Sequence, residues 1–94
     1  MSDIEITMTV LDEVLTERTR QDERWGEQNH HPTHYLTVLG EEYGESCQAC
    51  CHAMGEIGGK KTWQDYREEL VQVAAVAVAM IECFDRGKDG RNGE

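Results

Sequence analysis

Positive charge is scarce in this chain. Nine lysines and arginines stand against nineteen aspartates and glutamates in 94 residues, a formal net charge of −10. Phosphate-backbone binding needs clustered Lys and Arg, so the balance argues against nucleic acid and against an anionic membrane surface. A small phosphorylated ligand stays open, because a bound cation reverses the local field. Long apolar runs are missing too. The longest, Leu70–Ile81, falls well short of the roughly 20 residues a membrane span needs. Met1–Asp3 is polar and acidic, without the basic start and apolar stretch of a secretory signal. A cytoplasmic protein is expected, with its four cysteines as reduced thiols rather than a disulfide frame. Aromatics are few, at two Trp, three Tyr and one Phe, and the only proline, Pro32, falls in a loop.

What is present is helical periodicity in one small domain. A first helix is expected from Thr7 or Thr9 to Arg24, with Met8, Leu11, Val14, Leu15 and the stem of Arg18 as its apolar stripe. Gly26 can then supply a left-handed cap. After the loop Glu27–Pro32, Thr33 is the expected N-cap of a second helix reaching about Met54. Its stripe is Leu36, Leu39, Tyr43, Cys47, Cys50 and Met54, and beside it runs a second line, Tyr35, Val38, Glu42, Glu45, Ala49, Ala53. Gly40 and Gly44 each weaken this helix by about 1 kcal/mol relative to Ala, and their spacing would let another backbone come close. Thr62, with Asp65 three residues on, reads as a capping box opening a third helix to about Asp85, ended by Gly87. The middle of that helix is apolar on every side apart from Gln72. A helix apolar all round must be buried all round, and two neighbours in a chain this short cannot wrap it. The expected fold is therefore an all-α helical bundle over residues 1–87, completed by homo-oligomerisation as a dimer or tetramer. Residues 88–94 are expected to be a flexible tail.

Four polar residues break the apolar text. Glu42 and Glu45 share a face of the second helix, and Glu69 and Gln72 share a face of the third. A solvated acidic face should be polar one turn above and below. Instead Val38 precedes Glu42, Ala49 follows Glu45, and the line from Glu69 and Gln72 continues through Val76 and Cys83. Glu41 and Glu68 point further round and fit solvent. Carboxylates gathered between packed helices are costly unless a cation sits among them, and a hard divalent ion such as Mg²⁺, itself holding a phosphate, is the natural one.

The segment Leu39–Glu45 resembles the EExxE motif of the MazG-like, all-α nucleotide pyrophosphohydrolases. Glu69–Ala74 falls where that family carries its ExxD motif. Glu17–Gln21, followed by Trp25-Gly26 and His34, is similar to small phage-type members. The resemblance covers about Val14 to Glu82. It implies a helical dimer or tetramer that cleaves a nucleoside triphosphate between the α and β phosphates, using Mg²⁺ or Mn²⁺, to give a monophosphate and pyrophosphate. Glu42, Glu45 and Glu69 match three metal ligands of the family. Gln72 stands where the fourth, an aspartate, is expected, and a carboxamide oxygen can ligate Mg²⁺ without bringing charge. That departure leaves a non-catalytic nucleotide- or partner-binding relative as the alternative. Glu45 or Glu42 is the candidate to take the proton of the attacking water.

Arg18, Arg20, Arg24, Lys60 and Lys61 are the cations available to a phosphate, and of these Arg20, Lys60 and Lys61 are carried forward as substrate-binding candidates. A salt bridge from Arg20 to Glu17 is the competing expectation. Trp25, at a loop edge, is the best residue to stack on a base; core or interface packing is the simpler reading for each aromatic. Cys47 and Cys50 have a zinc-ligand spacing, but mid-helix on an apolar stripe they read as small core residues.

Overall fold

The computed structural model describes residues 1–91, in which three α-helices and no strand are found. Residues 92–94 of the expected tail lie outside the described residues. Helix α1 spans Asp3–Trp25, α2 spans Pro32–Met54 and α3 spans Trp63–Arg86. Helix α3 is central: α1 and α2 both pack on it and do not pack on each other. Contacts pair His30, just ahead of α2, with Cys83 near the end of α3, and Glu13, Glu17 and Arg18 of α1 with Arg67, Gln72 and Glu82 of α3 in rising order. The order is therefore up, down, up.

The helix ends follow capping chemistry, with three corrections to the expected boundaries. Helix α1 starts at Asp3, not Thr7 or Thr9, because Ser2 and Glu5 form a complete capping box. Helix α2 is capped by the His31 ring, which accepts from the Thr33 N–H at 3.2 Å, rather than by Thr33. Pro32 explains the shift, since its fixed φ and missing N–H suit the first helical position. Gly26 closes α1 with φ 74° and ψ −176°, a positive-φ extended conformation that only glycine adopts readily, and not a left-handed helical one. Thr62 and Asp65 form the expected capping box, and Gly87 ends α3 in the left-handed conformation.

The two seams on α3 differ in chemistry. The α2 side is apolar and tight. Tyr35, Ser46 and Ala49 of α2 are buried, as are Ala75, Val76 and Cys83 of α3. Small side chains let helix axes come close. The α1 side is polar. Arg67 grips Glu13 with two bonds of 2.7 Å, Arg18 Nε donates to Glu82 at 2.8 Å, and Gln72 Nε2 donates to Glu17 at 2.9 Å. Only Val14 and Glu17 of α1 are buried.

This arrangement corrects which faces are covered within one chain. Of the expected α1 stripe, Val14 and the stem of Arg18 are covered, but Met8, Leu11 and Leu15 are exposed, because α1 turns Val14, Glu17 and Arg18 to α3. Leu36, Tyr43, Cys47 and Met54 of α2 are exposed likewise, while Leu39 and Cys50 of the same stripe are half-buried, because α3 covers the side that carries Tyr35, Ser46 and Ala49. Nothing comes within 4 Å of a side chain added at Gly40 or Gly44, so no backbone of this chain exploits their spacing. On α3, Ile81 and Phe84 face outward. Past Gly87 the chain folds back: Lys88 meets Glu27 at 3.3 Å and Arg91 lies 3.6 Å over the Phe84 ring. No helix of the described residues is long and apolar enough to cross a membrane.

Candidate metal centre and adjoining cleft

The α2 line that packs on α3 is the line that carries the acids. Packing therefore forces Glu42 and Glu45 toward Glu69. One carboxylate oxygen from each of the three lies within 4.8 Å of the other two, the only such group of His, Cys, Asp or Glu side chains among the described residues. Glu42 and Glu69 are half-buried and Glu45 is exposed. Glu41 and Glu68 are exposed, as expected of a solvated face.

The electrostatics of the cluster are unfavourable as it stands. Burial raises the proton affinity of Glu42, and the charges of Glu45 and Glu41 raise it further. Burial does the same for Glu69, and the neighbouring carboxyl groups of Glu45 and Glu42 add to it. Lys61 is near enough to oppose this slightly at Glu69. Glu69 Oε2 is buried and has no hydrogen-bond partner. Buried polar atoms are nearly always paired, and an orphan calls for an explanation. The donor set is all carboxylate oxygen, the chemistry a hard divalent cation prefers.

The hydrogen bonds of the Gln72 side chain go to α1 and not to these three. Its Nε2 donates to Glu17, and its Oε1 accepts from Gln21 Nε2 at 3.4 Å, both on α1. Glu17 is 8 % exposed and also takes Arg20 Nε at 2.6 Å. Arg20, foremost, and Gln72 hold its carboxyl below the ordinary value. The expected Glu17–Arg20 salt bridge is thus present, and it carries a partner that sequence reasoning missed. Glu17 and Gln21 stand one turn apart on α1, a spacing that marks one face but does not say that the face meets Gln72.

Beside the cluster lies a cleft of about 330 Å³ between α1 and α2, with α3 as its floor. Glu42 lines it together with Arg20, Gln21, Trp25, Tyr35 and Gln72. Two candidates from the sequence, Arg20 and Trp25, are therefore brought to the same cleft as Glu42. Trp25 is 60 % exposed, with the Arg24 guanidinium 4.7 Å over its ring. Arg18 also lines the cleft, but its three nitrogens are committed to Glu82, Gln21 and Asp22. Lys60 and Lys61 do not line it. Lys61 Nζ donates to Gln48 at 2.8 Å, and its backbone N–H to His52 Nδ1 at 3.4 Å. Cys47 is exposed rather than a core residue, because its stripe faces away from α3, while Cys50 is half-buried.

Comparison of the chain with protein-family profiles, with curated protein sequences and with solved structures gives no match.

Proposed function

We propose that this protein is a Mg²⁺-dependent nucleoside triphosphate pyrophosphohydrolase of the MazG-like kind, releasing a monophosphate and pyrophosphate. The observation that carries the reading is the orphaned, buried Glu69 Oε2 inside a three-carboxylate set at the edge of a nucleoside-sized cleft. The EExxE segment Glu41–Glu45 supports it from the sequence.

In this reading Glu42, Glu45 and Glu69 hold the ion, Mg²⁺ or Mn²⁺. When bound, such an ion neutralises phosphate oxygens and lowers the pKa of a bound water. The chain does the rest. Trp25 and Tyr35 flank the nucleoside, and Arg20 exchanges part of its hold on Glu17 for a phosphate oxygen. Lys61, close to Glu69, adds positive charge on the loop side, and Lys60 stands beside it on the same loop. Glu45 is the exposed member of the set and is best placed to accept the proton of an incoming water; Glu42 is the other candidate. A second reading, a non-catalytic nucleotide-binding relative, is favoured by the engagement of Gln72 with α1.

The functional unit is a homo-oligomer, with a second copy covering the outward stripes. Every residue of α1 up to Asp12 is exposed, including Ile4, Met8 and Leu11. An unpacked helical segment of about ten residues is marginal in water, and the exposed apolar residues of α1 and α2 are the surface a second copy would cover. A dimer or a tetramer satisfies this equally.

One screen separates the readings. Nucleoside and deoxynucleoside triphosphates are incubated with Mg²⁺ or Mn²⁺ and pyrophosphate is measured. Release that needs the metal supports the enzyme. Thermal stabilisation by metal plus nucleotide without release supports the binding relative. Neither effect overturns both.

A further inference from the structure

Resting on the metal-nucleotide reading above, we propose that Gln72 is a positioning residue that seats the α1 wall of the cleft through Glu17, and that it is not a ligand of the ion. Its donor end is spent on a carboxylate that is 8 % exposed, and its acceptor end faces Gln21. A carboxamide is the side chain that can serve both at once. An aspartate or glutamate there would remove the Nε2 donor and set a second anion against Glu17, leaving Arg20 to serve both carboxylates. Residue 72 is therefore an amide for a reason internal to this chain: α1 brings its own buried acid to that position. Gln72 and Arg20 line the cleft on one side and an open groove between α1 and α3 on the other. The Glu17–Gln72 link is thus part of the wall dividing the two. Arg20, Gln21 and Trp25 follow Glu17 on the same helix, so the link sets their distance from the carboxylate cluster.

The test uses Gln72→Ala, the isosteric Gln72→Glu, Glu17→Gln and the double variant that combines the last two, with Glu69→Gln as the metal control. Mn²⁺ binding is read by electron paramagnetic resonance, nucleotide affinity by titration in saturating Mn²⁺, and folding by thermal melts. Gln72→Ala is expected to keep Mn²⁺ affinity within about twofold while weakening the nucleotide about tenfold, the scale of positioning partners. Gln72→Glu lowers the melting midpoint and the nucleotide affinity. Glu17→Gln in that background restores both, because the amide is then on α1 and donates to the carboxylate on α3. Loss of Mn²⁺ binding in Gln72→Ala to the level of Glu69→Gln overturns the proposal and leaves the metal reading standing. So does strict additivity of Glu17→Gln and Gln72→Glu. Failure of the unaltered chain to bind Mn²⁺ overturns the metal reading, and this proposal with it.

Discussion

Glu42 on α2 and Glu69 on α3 bring carboxylate oxygens within 4.8 Å of each other across the tightest seam of the molecule. Both are half-buried, and burial is the largest cause of the raised proton affinity of each. A seam lined by Ala49 and Ala75 and interrupted by acids sacrifices stability at those acids. Such a sacrifice is what the proposed metal site predicts of its carboxylates when no ion is bound.

Removing one charge should therefore help the empty protein and harm its chemistry. Glu42→Gln and Glu69→Gln are each expected to raise the melting midpoint of the metal-free protein at neutral pH. For a domain of this size a gain of 1 kcal/mol corresponds to about 4–8 °C. The same variants lose the stabilisation that Mg²⁺ confers, and pyrophosphate release falls by about a hundredfold or more. Calorimetry with and without Mg²⁺ reads the first effect, and a coupled pyrophosphate assay the second. A lower midpoint in both variants would count against a strained cluster.

The pH dependence follows with its sign. The folded pKa values of Glu42 and Glu69 lie above the ordinary 4.5. Their contribution to stability is therefore fully present below that ordinary value and is lost as pH rises through the folded values. Glu17 and Glu13 run the other way. Arg20 and Arg67, respectively, lower them, so their contributions are present above the ordinary value and lost as pH falls through the folded ones. Metal-free protein should melt at a higher temperature at about pH 5 than at about pH 7.5, and lose stability again in stronger acid. Saturating Mg²⁺ should abolish the rise, because the ion favours the ionised carboxylates. A series of melts across pH, repeated on Glu69→Gln, shows whether the cluster is responsible.

The start of α3, the approximate ends of the helices and the acids Glu42, Glu45 and Glu69 were legible in the sequence because they rest on local chemistry, whereas the starts of α1 and α2 were not. Thr62 and Asp65 name a capping box by their spacing alone, and Gly87 names a stop. Glu42 and Glu45 stood out because Val38 and Ala49 bracket them. Which stripe of each helix meets α3 was not legible. Periodicity gives the angular width of an apolar face, whereas the contact is chosen by partner shape. On α2 the small residues Ser46 and Ala49 prevailed over the larger Leu36 and Tyr43. On α1 the ion pairs of Glu13 and Arg18 and the hydrogen bond from Gln72 to Glu17 prevailed over Met8, Leu11 and Leu15. The Glu17–Gln72 contact joins residues 55 apart in the chain, and nothing local announces such a pairing.

The outward stripes make the state of assembly testable by single substitutions. An alanine at Gly40 meets nothing within 4 Å in one chain. In a monomer, Gly40→Ala should therefore stabilise α2 by about 1 kcal/mol. In an assembly that packs a second backbone against Gly40, the same methyl group should weaken association by about tenfold. Leu15→Lys, which puts a charge in the exposed α1 stripe, should yield a monomer with reduced helicity, because the first half of α1 then has no partner. Light scattering after gel filtration and circular dichroism read both variants. A monomeric unaltered chain with full helicity would overturn the assembly.

The two tryptophans provide the last contrast. Trp25 is exposed at the mouth of the cleft and touches Arg24, whereas Trp63 packs edge-on against Tyr66 with ring centroids 5.7 Å apart and does not line the cleft. Trp25→Ala should leave the melting midpoint nearly unchanged, as exposed substitutions do, within about 0.5 kcal/mol. It should weaken nucleotide binding by about tenfold, the loss of about 1–3 kcal/mol of base stacking, with Mn²⁺ binding intact. Trp63, though 51 % exposed, holds that pair with Tyr66, so Trp63→Ala should lower stability by about 0.5–1.5 kcal/mol and leave nucleotide affinity alone, because it removes nothing from the cleft. Equal loss of nucleotide affinity in the two variants would place the nucleoside elsewhere than between Trp25 and Tyr35.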